Sequence, residues 1–392
     1  MASIQSYDVI IVGAGSMGMS AGCQLAWQGM RTLLIDAFDP PHGEGSHHGE
    51  PRLIRHAYSG HPTYTDMAVR AHELWNELEQ QAEEQLLVQS GVLNIADPAL
   101  HSFTDRIEEA ARHGVHAEKL DAAEIGKRWK GLRLPEHFEA MYEPAAGYLQ
   151  SEACVHAYKR LALAYGAELL THTAVCGITA LRNSVVVHTR KGKYHSARLI
   201  LTAGAWFGTL SPFITLPVRA VRKTVGWFET GSAEFRAGRF PGFTLHDGIG
   251  AYYGFPDIGG AGLKIGRHDT GQDWKPGEPF LPFGSLPEDE AGLREALGRY
   301  MPDACGRLLQ GKACKYELTP DEDFIIDRHP HYPHIVVAGG FSGHGFKFAS
   351  VIGEICTRLV MDEPPGQDIR PFALSRFASQ AAPAPSFAQG GD

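Results

Sequence analysis

The sequence predicts an α/β protein of two domains. One stands on a mainly parallel sheet and is discontinuous along the chain. The other is a mainly antiparallel sheet with helices. Three observations lead there. An apolar run at 7–12 meets a glycine-rich turn, then a helix to about Gly29, then a second apolar strand at 32–35, which together make one β-α-β unit. A late strand at 334–338 runs into another glycine-rich turn and a helix ending near Met361. Between them, 216–282 is rich in glycine, proline and aromatics, with short strand-like runs that read as mainly antiparallel.

The other elements follow in order. Residues 37–61 read as a loop carrying His42, His47, His48, His56 and His61. A helix is expected from about Tyr64 to Gln80, with Met67, Ala71, Leu74, Trp75 and Leu78 on one face. Residues 86–96 read as strand, and 103–113 as a short helix ended by Gly114. Asp121 and Glu124 have the spacing of a capping box, so another short helix opens there. The helix at 151–165 places Val155, Tyr158, Ala162 and Tyr165 on one face and stops at Gly166. Strands at 184–189 and 199–203 flank a Lys191-Gly192 turn as a hairpin, and 288–300 is helical. The expected division is 1–85, 145–215 and 319–380 for the nucleotide-binding domain, and 86–144 with 216–318 for the substrate domain. A tail rich in alanine, proline, serine and glycine, 381–392, is expected to be disordered.

Composition narrows the function. A chain of 392 residues with 43% hydrophobic and 21% charged residues can enclose a ligand and is not wholly disordered. No apolar run approaches the ~18 residues of a membrane helix. The first residues lack the basic and apolar regions of a signal peptide, so the expected location is cytoplasmic. Thirty-six Lys and Arg against 45 Asp and Glu give a net charge of −9, which does not suggest nucleic acid or an anionic membrane as partner. The six cysteines form no CxxC pair, and the histidines follow no zinc spacing, so no metal is expected.

Gly13, Gly15 and Gly18 form G-x-G-x-x-G between strand and helix, with Ser16 and Met17 opening the helix. The first glycine allows the tight turn. The second lets backbone N–H groups reach a pyrophosphate, and the third lets helix and strand pack closely. The helix N-terminus adds partial positive charge. Asp36 ends the second strand, where an acid accepts hydrogen bonds from ribose hydroxyls. An acid there disfavours a 2′-phosphate. The fingerprint therefore leaves NAD or FAD, and the motif alone does not choose.

Other segments do. Leu199-Ile-Leu-Thr-Ala-Gly204-Ala-Trp206 resembles a strand and small-residue turn of FAD-dependent amine oxidases related to glycine oxidase and D-amino acid oxidase. Four more occur in order: Gly45 to His56, containing Glu50-Pro51-Arg52; Tyr252-Tyr253-Gly-Phe-Pro through Lys264 to His268; Ala313-Cys314-Lys315-Tyr316 with Asp321 to Asp327; and Gly340-Phe-Ser-Gly343-His344-Gly345-Phe346-Lys347-Phe. Together they closely resemble the monomeric sarcosine oxidase family, which includes N-methyltryptophan oxidase, from about Tyr7 to Phe377.

The resemblance implies a Rossmann-like FAD domain and a flavin-dependent oxidase of N-methyl amino acids. With sarcosine, oxygen and water it would form glycine, formaldehyde and hydrogen peroxide. It implies that Cys314 is bonded through sulfur to the flavin 8α-methyl. Arg55 and Lys347 would hold the substrate carboxylate, a planar fork beside a point charge. Lys264 would promote reaction with oxygen by stabilising developing negative charge. Arg52 and His48 would tune the flavin, while His268, Tyr253 and Tyr316, with Gly343, would line the substrate pocket. Ser46, His47, Val175, Gly204, Gly345, Phe346 and Lys347 would join the fingerprint in holding FAD. The family name implies a monomer.

Two departures stand out. Glu50-Pro51 replaces the family's Asp-Thr, which removes a backbone donor and a hydroxyl. Thr244 replaces a larger apolar residue, which leaves room for a bulkier substrate. An N-methyl-L-tryptophan or cyclic amino acid oxidase therefore stays open beside the sarcosine reading. So does a flavoprotein dehydrogenase that passes its electrons to a partner.

Overall fold

The computed structural model describes residues 6–58 and 60–380. An eight-stranded sheet carries the fingerprint. Its strand Ser6–Val12 lies between Thr32–Ile35 and Gly192–Leu201 and is parallel to both. Val9, Ile10, Ile11 and Val12 are buried, as a central parallel strand covered on both faces requires. Glu168–Leu170 extends the sheet past Thr32–Ile35. The long strand Gly192–Leu201 serves two partners along its other edge. Residues 192–196 pair antiparallel with Val185–Thr189, and 199–201 run parallel to 335–337 of Tyr332–Gly339. The C-terminal strand is thereby seated beside the first β-α-β unit.

Helices Ser16–Trp27 and Ala349–Val360 pack against each other in the largest apolar cluster. Their approach is close: a Cβ on Gly353 would fall 2.2 Å from Ser20 Oγ. A nine-stranded sheet forms the second layer, drawn from 92–143 and 219–318. Leu308–Leu318 runs antiparallel along Arg219–Phe228. A three-stranded sheet of Arg52–Ile54, Leu87–Val88 and Gly147–Leu149 completes the set.

Several expectations need correction. The strand at 86–96 is two strands, Leu87–Val88 and Val92–Ala96, in different sheets. Gly91 at φ +72° turns the chain between them, and its N–H bonds to the Ala146 carbonyl. The loop at 37–61 contains the strand Arg52–Ile54. The second sheet is mainly antiparallel as expected, with Gly242–His246 pairing parallel to Val92–Ala96. The last helix, Ala349–Val360, ends where expected and follows a 3-10 turn at Phe346–Phe348. The capping box of Asp121 and Glu124 and the helix Glu288–Tyr300 are present as expected. The tail, 381–392, lies outside the described residues.

Candidate active site

A cavity of about 530 Å³ opens where the first strand meets its helix, a size within the usual range for a cofactor site. Gly13, Gly15, Ser16 and Met17 line it, with Asp36 beside them. The three glycines differ in what they do. Gly13 has φ +93°, and a Cβ there would fall 2.5 Å from the Thr202 carbonyl oxygen. A Cβ on Gly18 would fall 2.0 Å from the Gly13 oxygen, so Gly18 serves packing and does not line the cavity. A Cβ on Gly15 would meet only His47, at 3.8 Å. Gly15 therefore leaves the backbone open to the cavity. The helix it precedes has no side-chain cap, so its first N–H groups are available to an anion. Asp36 accepts from Ala14 N at 2.8 Å and from Phe38 N at 2.9 Å, which makes it a brace of the turn as well as a wall.

Ser46, His47, Arg52, Val175, Gly204, Tyr316, Gly343, Gly345 and Phe346 line the cavity as well. Ser46 Oγ donates to the Lys315 carbonyl at 2.6 Å, which ties this loop to the strand bearing Cys314. Arg52 donates to the carbonyls of Ser46, His48, Gly49 and Pro51 at 2.6–3.0 Å. His47 is buried and pushed down to about 3, by desolvation first and then by neighbouring His42, His48 and Arg52. His48 falls to about 4, by burial and then Arg52 and three lysines; its buried Nε2 has no partner among the described residues.

Lys264 is 1% exposed. Its ammonium donates to Gly49 O at 2.7 Å and Pro51 O at 3.0 Å, and sits over the rings of Trp227 and Phe255. Burial, then Arg52, holds it well below the usual lysine range. Cys314 lies buried in Leu308–Leu318 opposite Lys223. Burial pushes its thiol up, while Arg52 and Lys264 pull it down.

A second group adjoins the cavity through Tyr316, whose hydroxyl lies 3.2 Å from that of Tyr253. A Cβ on Gly343 would strike Tyr316 at 2.2 Å and His268 at 3.0 Å, so this glycine permits the approach of both. His268 is pushed down to about 4, by burial and then Lys223 and His246. Arg55 lies 4.5 Å and Lys347 5.5 Å from the centroid of one ring, Tyr58. Neither cation has a carboxylate within ion-pair distance among the described residues. Lys347 is 6% exposed, donates to the His344 carbonyl, and is held well below the usual lysine range by burial and then Arg55. The fully buried Glu143 favours the charged form of Lys347 against those influences, and it accepts from the N–H groups of His56 and Ala57. Thr244 Oγ1 donates to Asn94 Oδ1 at 3.1 Å.

Not every expected residue lines the cavity. His48, Arg55, Thr244, Tyr253, Lys264, His268, Cys314 and Lys347 are not among its lining residues. Sequence reading missed Glu143, Asn94 and Glu317. Glu143 ends the strand Glu139–Glu143, which begins with a second glutamate, so no local signal set it apart.

Glycine turn, uncapped helix and cavity define a dinucleotide-binding α/β protein with a second sheet over its site. The chain matches the FAD dependent oxidoreductase (DAO) model over residues 8–359. It is 45% identical over 376 residues to a monomeric sarcosine oxidase of Bacillus sp. (strain B-0618), covering 95% of this chain and 96% of that one. It is 40% identical over 374 residues to an N-methyl-L-tryptophan oxidase of Salmonella typhi, with 95% and 99% covered. The chain belongs to this family of FAD-dependent oxidoreductases. Its fold is shared by glycine oxidase from Geobacillus kaustophilus, at TM-score 0.81, 20% identity and 95% and 99% coverage. The amino acid oxidase NikD shares it too, at TM-score 0.81, 22% identity and 94% and 97% coverage. The open face at Gly15, the free helix N-terminus and the cavity volume fit FAD.

Proposed function

We propose that this chain is an oxidase of N-methyl amino acids, with sarcosine the first choice of substrate and N-methyl-L-tryptophan or another larger secondary amine the second. The observation that carries it is the pair Arg55 and Lys347, two cations beside the FAD cavity with no carboxylate in ion-pair contact among the described residues. A substrate carboxylate supplies the missing charge, and Arg55 offers it a planar fork. Its N-methyl group then points toward the cofactor, past Tyr253, Tyr316 and His268.

FAD, when bound, supplies the two-electron acceptor that oxygen regenerates. The chain's own residues bind, orient and exclude water. His268, neutral near pH 7, is able to accept a hydrogen bond from the substrate amine. Lys264 places a buried positive charge for oxygen as it gains negative charge. Sarcosine, oxygen and water give glycine, formaldehyde and hydrogen peroxide. Cys314 is the proposed covalent link to the flavin 8α position, supported by its burial and the four cations around it. On this reading 1–85, 145–215 and 319–380 hold FAD, while 86–144 and 216–318 close over the substrate.

The reading includes a monomer working in the cytoplasm on a small molecule and oxygen. Among the described residues no helix is long and apolar enough to cross a membrane. The test is anaerobic mixing with sarcosine, with N-methyl-L-tryptophan in parallel, followed by flavin absorbance. Rapid bleaching by sarcosine is the expected result. Bleaching by the larger amine alone moves the substrate, and bleaching by neither overturns the reading.

A further inference from the structure

Glu317 follows Tyr316 in the strand Leu308–Leu318 and lines the cofactor cavity at 6% exposure. The N–H groups of Gly340 and Phe341 point at its carboxyl. Its Oε2 is buried with no hydrogen-bond partner among the described residues. Among the described residues its influences are burial, first, and those two N–H groups, and burial pushes it up to about 7. A buried polar atom without a partner costs about 1–3 kcal/mol. A fold keeps such an atom where a ligand completes it.

The position of Glu317 says which part of the cofactor it meets. The turn at Gly13–Gly15 and Asp36 line the cavity from the first sheet. Glu317 lines it from the second sheet, with Tyr316, three residues past Cys314 on the same strand. On the proposed flavin link at Cys314, that strand is the wall where the redox-active ring belongs. A protonated carboxyl is an O–H donor, and the ring carries carbonyl oxygens and nitrogens that accept. We propose that Glu317 is a cofactor-contacting acid that donates its hydroxyl hydrogen to an acceptor atom of the FAD ring. Neither the fingerprint nor the resemblance gives this residue a role.

The test uses the holoenzyme. Wild type and Glu317→Gln are reduced anaerobically at pH 6, and infrared difference spectra are recorded. The expected result is a carboxylic acid carbonyl band that shifts on reduction in wild type and is absent in Glu317→Gln. Identical difference spectra overturn the proposal, since an acid that only braces Gly340 and Phe341 has no reason to sense the ring. Glu317→Leu, which cannot donate, gives the magnitude. A tenfold change in the ratio of affinities for reduced and oxidised cofactor is expected, about 30 mV for a two-electron couple. Glu317→Gln keeps a donor and stays closer to wild type. If Glu317→Leu does not fold, the infrared comparison still decides. The yellow colour of each protein reports cavity occupancy separately, so loss of cofactor is not confused with loss of the contact.

Discussion

Arg52 and Lys264 donate to the same two carbonyl oxygens, those of Gly49 and Pro51. Two cations thus converge on one turn of backbone, with Lys264 buried beneath and Arg52 at the cavity wall. The proline that departs from the family pattern still presents its carbonyl to both.

Lys264→Met should therefore separate the two halves of the reaction. Loss of a fixed charge at the site of developing negative charge costs about 10²-fold in rate. Stopped-flow reoxidation by oxygen is expected to slow by about that much, while anaerobic reduction by substrate changes far less. Equal slowing of both would remove the role proposed for Lys264.

Cys314→Ala is expected to release its flavin on acid precipitation. The wild-type pellet should stay yellow and its supernatant colourless. A yellow wild-type supernatant would end the covalent proposal.

Arg55→Met should weaken substrate binding with little loss of cofactor. A hydrogen bond to a charged group contributes about 1.5–3 kcal/mol, which corresponds to a rise in KM for sarcosine of about 10- to 100-fold. Lys347 is already easy to deprotonate, because burial and Arg55 both disfavour its charge. As pH rises through that lowered value, wild type loses one of its two cations. Affinity for an anionic substrate is expected to fall with rising pH sooner than an ordinary lysine would allow. In Lys347→Met that limb should flatten; an unchanged profile would exclude Lys347 as the titrating group.

Stability should fall in acid for a stated reason. His47, His48 and His268 are held neutral, at about 3, 4 and 4, against ~6.5 unfolded. The unfolded chain binds protons first, so stability is complete above about 6.5 and declines as pH falls toward about 4. Melting temperatures between pH 7 and pH 5 should show this slope. Replacing His47 by Gln should reduce it, and an unaltered slope would mean that other groups dominate.

What the sequence disclosed and withheld follows from the range of each interaction. Gly13, Gly15 and Gly18 were legible because strand, turn and helix are adjacent in the chain. The helix Glu288–Tyr300 was legible from periodicity and three acids in its first turn. The split at Gly91 was hidden, since a positive φ leaves little mark in a strand-like run. The parallel pairing of Gly242–His246 with Val92–Ala96 joins segments about 150 residues apart, and no local pattern encodes it. Glu143, Asn94 and Glu317 act through partners far away in the chain, so only the assembled fold reveals them. The cations Arg55 and Lys347 were found through resemblance; their shared ring, Tyr58, was not.

The strand Gly192–Leu201 has a consequence for the life of the newly made chain. Its last three residues wait for 335–337, and the loop that follows carries Gly343, Gly345 and Phe346 to the cavity. During synthesis the glycine turn emerges first and the opposite wall some three hundred residues later. Capture of the cofactor is therefore a late event, and a ribosome stalled before residue 335 would carry a protein with half a grip on its flavin.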